Sequence, residues 1–342
     1  MKKLIRRWLN RYKNQRRKKQ FESQVGMNLD SLIKSCEEIV LEKTGNKIYT
    51  KFRDLGGANN HGMLLHHSVL TGKPIAISKI EESSLAEREY RFLSWQVKYR
   101  GNQLSATPLG LLDDSELGYS CFISSVLQHP ERFSYDKALE LFETLGKERQ
   151  ELSHLALDGS MQNLSFEIDP STNIKSVLYY MVSRFGTNVS KNFYVEFLDA
   201  KKEILSTELD FYCELKQPLD DLYNTLITRD LSDYQGLVHG DFKPQNILEE
   251  SNSYRVIDCQ YYTYGVRLWD VAFLYSKDSK GFNNIKPELD RFSQFEEKAL
   301  MLFFYVIASL INLKKKRARL VVNNQISPAV ALIIKLLANT KP

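Results

Sequence analysis

Apolar residues recur at helical spacing from the start of the chain, where Leu4, Ile5, Trp8, Leu9 and Tyr12 are interleaved with Lys and Arg. This is the pattern of a basic amphipathic helix that lies at an interface. A second helix is predicted from Leu29 to Lys43 by the spacing of Leu29, Leu32, Ile33, Cys36, Ile39 and Val40, with Gly45 ending it. The period then shortens. Ile48 to Leu55, Met63 to Leu70 and Pro74 to Ile80 read as strands of an antiparallel meander, separated by Gly56-Gly57 and Thr71-Gly72. A helix over about Ser83 to Lys98 follows, then strand-like segments from Ala106 to Leu112 and Tyr119 to Leu127.

After Pro130 long helical periods take over, at roughly 135–157, 173–187, 190–215 and 217–229. A short strand pair interrupts them, because Asn246 to Leu248 and Arg255 to Asp258 flank the turn residues Ser251, Asn252 and Ser253. Helices return from Leu268, and Ser327-Pro328 reads as an N-cap followed by proline at the first helical position. The pattern therefore predicts an α+β protein in two lobes. A β-sheet lobe with its preceding helix spans 28–127, and a mostly helical lobe spans 128–342.

The formal charge of +5 changes the picture only at one end. Residues 1–20 hold ten Lys/Arg and no acid, so the rest of the chain carries 37 basic against 42 acidic side chains. Basicity belongs to the arm, which predicts peripheral contact with an anionic membrane. The acidic body, and the lack of interleaved basic and aromatic residues, argue against a nucleic-acid partner. Four cysteines at 36, 121, 213 and 259 show no CxxC or Cys/His pairing, so free thiols and a cytoplasmic setting are expected, either throughout or at the inner membrane face. The longest apolar run, Ala299 to Ile311, is too short to span a bilayer and reads as a buried core helix.

Chemistry concentrates in HGDFKPQNIL at 239–248 and VIDCQ at 256–260. Asp241, Asn246 five residues on, and Asp258 twelve residues after that offer two hard oxygen ligands and one further carboxylate. Such a set suits Mg²⁺, which keeps several waters and binds nucleotide phosphates through one or two protein oxygens. The remaining carboxylate can take a proton from a hydroxyl nucleophile. On the helix after Lys79, a period of 100° per residue puts Leu85, Glu89, Phe92, Leu93 and Gln96 on one face, while Glu87 points about 160° away. An acid on an apolar stripe needs a partner, so Glu89 rather than Glu87 is expected to meet a cation.

This ordered set resembles the aminoglycoside phosphotransferase and choline kinase family, small-molecule relatives of the protein kinases, over about residues 46–280. The resemblance implies a bilobal protein-kinase-like fold with ATP or GTP and Mg²⁺ between the lobes. It implies Asp241 as catalytic base, Asn246 and Asp258 as magnesium ligands, and Lys79, paired with Glu89, as the lysine on the α- and β-phosphates. The loop at 54–62, with Gly56, Gly57 and Asn60, is similar to the family's phosphate loop, and backbone groups near Val126 to Gln128 match the hinge that holds adenine. His239 and Gly240 match the loop framework, and Asp270 is expected to cap a helix and brace the catalytic loop. Lys243 departs from many members; a lysine there can offset charge on the transferred phosphoryl group. The implied activity is phosphoryl transfer to a hydroxyl of a small molecule: an amino sugar, a sugar, an amino alcohol, or an envelope glycan or lipid precursor. The rivals are a pseudokinase scaffold, which the retained Lys79, Asp241, Asn246 and Asp258 disfavour, and a protein-kinase-like enzyme.

Overall fold

The computed structural model describes residues 16–53, 61–100, 105–114, 116–127, 131–155, 193–209, 211–250, 253–278 and 280–339. The expected helix at 173–187, the loop residues Gly56, Gly57 and Asn60, the hinge residue Gln128 and most of the basic arm lie outside them.

The chain divides into two compact units. One takes the residues up to Glu131 together with Glu250–Gln260; the other takes Arg132–Glu249 and the chain from Tyr261 onward. The segment 255–260, expected in the helical lobe, thus groups with the sheet. The physical reason is hydrogen bonding: Ser105 donates to the Val256 carbonyl at 2.7 Å, and the Cys259 N–H donates to Glu89 at 2.9 Å.

In the first unit, helices α1 (16–25) and α2 (Leu29–Thr44) precede β1 (Ile48–Arg53), β2 (Gly62–Ser68), β3 (Pro74–Glu82), α3 (Ser83–Arg100), β4 (Pro108–Asp114) and β5 (Tyr119–Ser125). The five strands form one antiparallel sheet in the order β1-β2-β3-β5-β4. Asn28 caps α2 by accepting from the Ser31 N–H at 3.0 Å, and Gly45, at φ 69°, closes the helix with its N–H on the Leu41 carbonyl. Phe21 and Val25 of α1 join Leu29, Cys36, Val40, Leu64, Ile80 and Ile123 in a buried core. The arm is therefore anchored from about Phe21, inside a stretch the sequence left unassigned. Cys36 and Cys121, far apart in the chain, meet in this core with sulfurs 3.6 Å apart.

The second unit contains β6 (Glu131–Arg132, whose first residue groups with the first unit), α4 (Ala138–Leu155), α5 (Phe193–Leu209), α6 (Tyr212–Leu226), β7 (Gln235–Val238), β8 (Ile247–Glu250, whose last residue groups with the first unit), β10 (Thr263–Val266), α7 (Leu268–Ser276), α8 (Phe282–Arg291) and α9 (Phe295–Ile311). The intervening strand β9 (Ser253–Val256) belongs to the first unit. Helix α9 is buried from Ala299 to Leu310 and packs on α7, as its apolar run predicts. The antiparallel pair β7 and β10 was not foreseen. Each strand is four residues long, and β10 is buried on both faces, so no alternation marks it.

At the C-terminal end, α10 (Ala318–Val321) runs through a π-helical segment, Val322–Ile326, into α11 (Ser327–Ala338). Ser327 is therefore no N-cap: its φ of −57° is helical, and the preceding turn continues the helix through it. The whole run Lys315–Ala338 is long and apolar enough to cross a membrane by length and composition, with a third of its most apolar window buried in the fold. No such segment is expected from the sequence pattern, in which Asn323, Asn324 and Gln325 interrupt the apolar run.

Candidate active site

Lys79 sits on β3, where strand alternation turns Ala76, Ser78 and Ile80 to the core side. Its ammonium lies 2.5 Å from Glu89 of α3, 3.1 Å from Asp258 and 3.5 Å from Glu81, and 5.7 Å from the ring centroid of Phe122. Burial works against the charged lysine, yet the three carboxylates outweigh it and hold its pKa well above the ordinary value. Burial raises Glu89 as well, but the close lysine and the Cys259 N–H favour its ionised form. Glu81 lies farther from the ammonium, and burial pushes it up to about 8.

Sequence reasoning missed Glu81. The available signal was its position two residues after Lys79, which places both on one face of the strand. Asp258 is the one non-glycine residue at positive φ, 66°, among the described residues. An L-residue spends energy to sit there, and here the turn brings the Asp258 carboxylate to Lys79. Val126 donates its N–H to the Ile75 carbonyl at 3.1 Å, continuing the sheet's hydrogen bonding past β5.

In the second unit the segment 239–246 is held from beneath. Asp270, fully buried as the third residue of α7, accepts from the His239 N–H at 2.8 Å, the Gly240 N–H at 3.0 Å and Arg149 of α4 at 2.6 Å. The expected bracing is present; the expected capping is not, because Arg267 occupies the N-cap. Gly240 has φ 84°, which glycine adopts without strain, and its carbonyl accepts from Trp269 Nε1 at 3.0 Å. His239 is buried, and its Nδ1 accepts from the Asp241 N–H at 3.3 Å. Arg149, another residue the sequence did not reveal, also stacks its guanidinium 4.7 Å from the Phe242 ring centroid.

Asp241 is paired with the Lys243 ammonium, and Asn246 directs its amide nitrogen at the Asp241 carbonyl, 3.0 Å, and side chain, 3.4 Å. With its nitrogen committed, the oxygen is the ligand atom that Asn246 can offer a cation. One carboxylate oxygen of Asp258 is engaged by an ammonium that nucleotide phosphates can also engage. A carboxylate and an amide oxygen are the hard donors that Mg²⁺ prefers, so the residues fit the ion.

Mixed α+β architecture, an antiparallel sheet with a lysine–glutamate pair, and a braced HGD loop are the features of a protein-kinase-like fold. The comparisons agree. A model of the phosphotransferase enzyme family matches residues 193–297, the stretch that holds Asp241, Asn246, Asp258 and Asp270. Among solved structures, the chain is similar to a thermostable mutant of aminoglycoside phosphotransferase APH(4)-Ia in ternary complex with AMP-PNP and hygromycin B, at 13% identity, over 90% of this chain and 100% of that one, with a TM-score of 0.52. It is similar to choline kinase from Cryptosporidium parvum Iowa II, at 13% identity over 91% and 95% of the two chains, TM-score 0.50. A microcompartment-associated aminopropanol kinase matches at 11% identity over 90% and 98%, TM-score 0.50. No curated protein matches. The fold expected from the sequence, that of the aminoglycoside phosphotransferases and choline kinases, is the fold observed.

Proposed function

We propose that the protein is a Mg²⁺- and ATP-dependent O-phosphotransferase that moves the γ-phosphoryl group to a hydroxyl of a small molecule. The observation that carries this reading is the Lys79 cluster: a buried ammonium with three carboxylates, one of them on a strained Asp258. Glu89 orients the ammonium, which engages the α- and β-phosphates. Mg²⁺, when bound, would take oxygens from Asn246 and Asp258 and draw charge from the transferring group. Asp241 accepts the hydroxyl proton as the acceptor oxygen attacks phosphorus and the bond to the β-phosphate oxygen breaks, giving ADP and a phosphate monoester. Lys243, already beside Asp241, offsets negative charge on the transferred group. The nucleotide reading is supported by a similar aminoglycoside phosphotransferase in complex with AMP-PNP, and the alcohol acceptor by the likeness to a choline kinase and an aminopropanol kinase.

The test is ADP formation with a panel of alcohols. Asp241→Ala should lower the rate by roughly 10²–10⁴, the usual contribution of a general base. Unchanged turnover would refute the role. The ten basic residues among positions 1–20 support peripheral attachment of this activity to an anionic membrane, at its cytoplasmic face.

A further inference from the structure

Helix α11 packs on α6 and α9 and buries Ala329, Val330 and Ile333. A helix held on one side in this way normally turns polar residues outward. The outward side of α11 does the opposite. Its exposed residues are Ala331, Ile334, Lys335 and Ala338, whose spacing of i, i+3, i+4 and i+7 puts them on one stripe. A single lysine therefore stands among three apolar side chains, and the largest of these, Ile334, is 51% exposed. In α10, on the same continuous helical run, Leu320 is 58% exposed beside exposed Arg319. Isolated surface aliphatics are ordinary, but an apolar stripe along a packed helix marks a contact surface.

Charge selects what covers it. No Asp or Glu follows Glu297 in the chain. Lys316, Arg317 and Arg319 are exposed ahead of α11, and Lys335 lies on the stripe itself. A second copy of the chain docked through this face would set cations against cations, because a two-fold interface pairs the same patch with itself. A bilayer with anionic headgroups satisfies both features at once: its interior accepts the aliphatic side chains, and its surface attracts the lysines and arginines. The lysine on the stripe can lay its stem along the apolar boundary and keep its ammonium among the headgroups. Although the run Lys315–Ala338 is long and apolar enough to cross a membrane, Ala329, Val330 and Ile333 are committed to the protein core, so the helix suits lying on a membrane and not spanning it.

We propose that the outward faces of α10 and α11 form a membrane-docking surface. Leu320, Ala331, Ile334 and Ala338 enter the boundary between headgroups and acyl chains, while Lys316, Arg317, Arg319 and Lys335 meet anionic headgroups. This contact is separate from that of the amino-terminal arm, and it does not depend on the phosphotransferase reading.

Two measurements on the full chain test the proposal, with vesicles of phosphatidylcholine alone or of phosphatidylcholine and phosphatidylglycerol in equal parts. In the first, a polarity-sensitive fluorophore is attached to Ile334→Cys in a Cys213→Ser background, because Cys213 is exposed whereas Cys36, Cys121 and Cys259 are buried. Mixed vesicles should shift its emission to the blue and brighten it, and pure phosphatidylcholine should do so much less. Emission unchanged by mixed vesicles would overturn the proposal whatever the arm contributes to binding, and so would equal shifts with the two kinds of vesicle. A blue shift that grows with protein concentration in the absence of lipid would also overturn it, in favour of a second copy of the chain. The second measurement is co-sedimentation with the mixed vesicles. Ala331→Glu/Ile334→Glu, at two exposed positions, should lower the partition coefficient at least tenfold, and Arg317→Gln/Arg319→Gln should lower it several-fold, with thermal unfolding by circular dichroism unchanged. Partitioning equal to that of the wild-type chain in both variants would overturn the proposal.

Discussion

Replacing Asp270 with alanine should cripple the HGD loop and the fold together. The carboxylate is fully buried and accepts three hydrogen bonds, from Arg149 and from the backbone of His239 and Gly240. Its loss leaves a buried guanidinium without its counter-charge, a change that costs about 3–5 kcal/mol. Two backbone N–H groups lose their acceptor at about 1–3 kcal/mol each. Because these groups share one cavity the costs do not add, and a total of about 5 kcal/mol is expected, a large part of the stability of an ordinary domain. Urea unfolding followed by circular dichroism measures it. Asp270→Asn keeps an acceptor oxygen for the loop and should lose less. The double variant Arg149→Met/Asp270→Leu removes both charges, so it should regain stability relative to Asp270→Ala. It should still show depressed ADP formation, because His239 and Gly240 lose the group that positions Asp241. An Asp270→Ala protein within about 1 kcal/mol of wild type would refute the reasoning, since the buried pair and both backbone bonds would then contribute almost nothing.

A pH dependence should arise from His66, which is fully buried between Thr50, 2.8 Å away, and Ser78, 2.6 Å away. Burial, with His67 adding, brings it down to about 4 from 6.5. The folded state therefore favours neutral imidazole: the full contribution is present above pH 6.5 and is lost as pH falls through 4. At 1.36 kcal/mol per pKa unit it amounts to about 3 kcal/mol. His66→Gln should flatten the stability profile between pH 6.5 and 4, and an unchanged slope would show that another group is responsible. For the arm, removal of residues 1–15 should reduce binding to anionic liposomes at least tenfold while sparing the core residues Phe21 and Val25; equal binding by both chains would count against membrane contact.

What the sequence disclosed was local. Asp241, Asn246 and Asp258 declare themselves by spacing because loop and hairpin leave them little freedom, and Glu89 declares itself by lying on an apolar stripe with Phe92 and Leu93. Glu81 is legible only through strand alternation, which puts it on the same face of β3 as Lys79. The capping role expected for Asp270 failed by a fraction of a turn: α7 begins at Leu268, so the carboxylate lies inside the helix and reaches the loop from there. Arg149 was illegible for a different reason. It is an unremarkable basic residue in its own segment, and only tertiary packing gives it meaning, through Asp270 and Phe242. The pair β7 and β10 escaped because strands this short, buried on both faces, carry no periodicity.

The central claim is that Lys79 and Asp258 hold a magnesium nucleotide, and calorimetric titration with AMP-PNP in the presence and absence of Mg²⁺ tests it most directly. Binding by the wild-type protein should require Mg²⁺, and Asp258→Asn and Lys79→Met should each weaken it at least tenfold. Binding that ignores both the metal and the two substitutions, or no binding at all, would contradict the account.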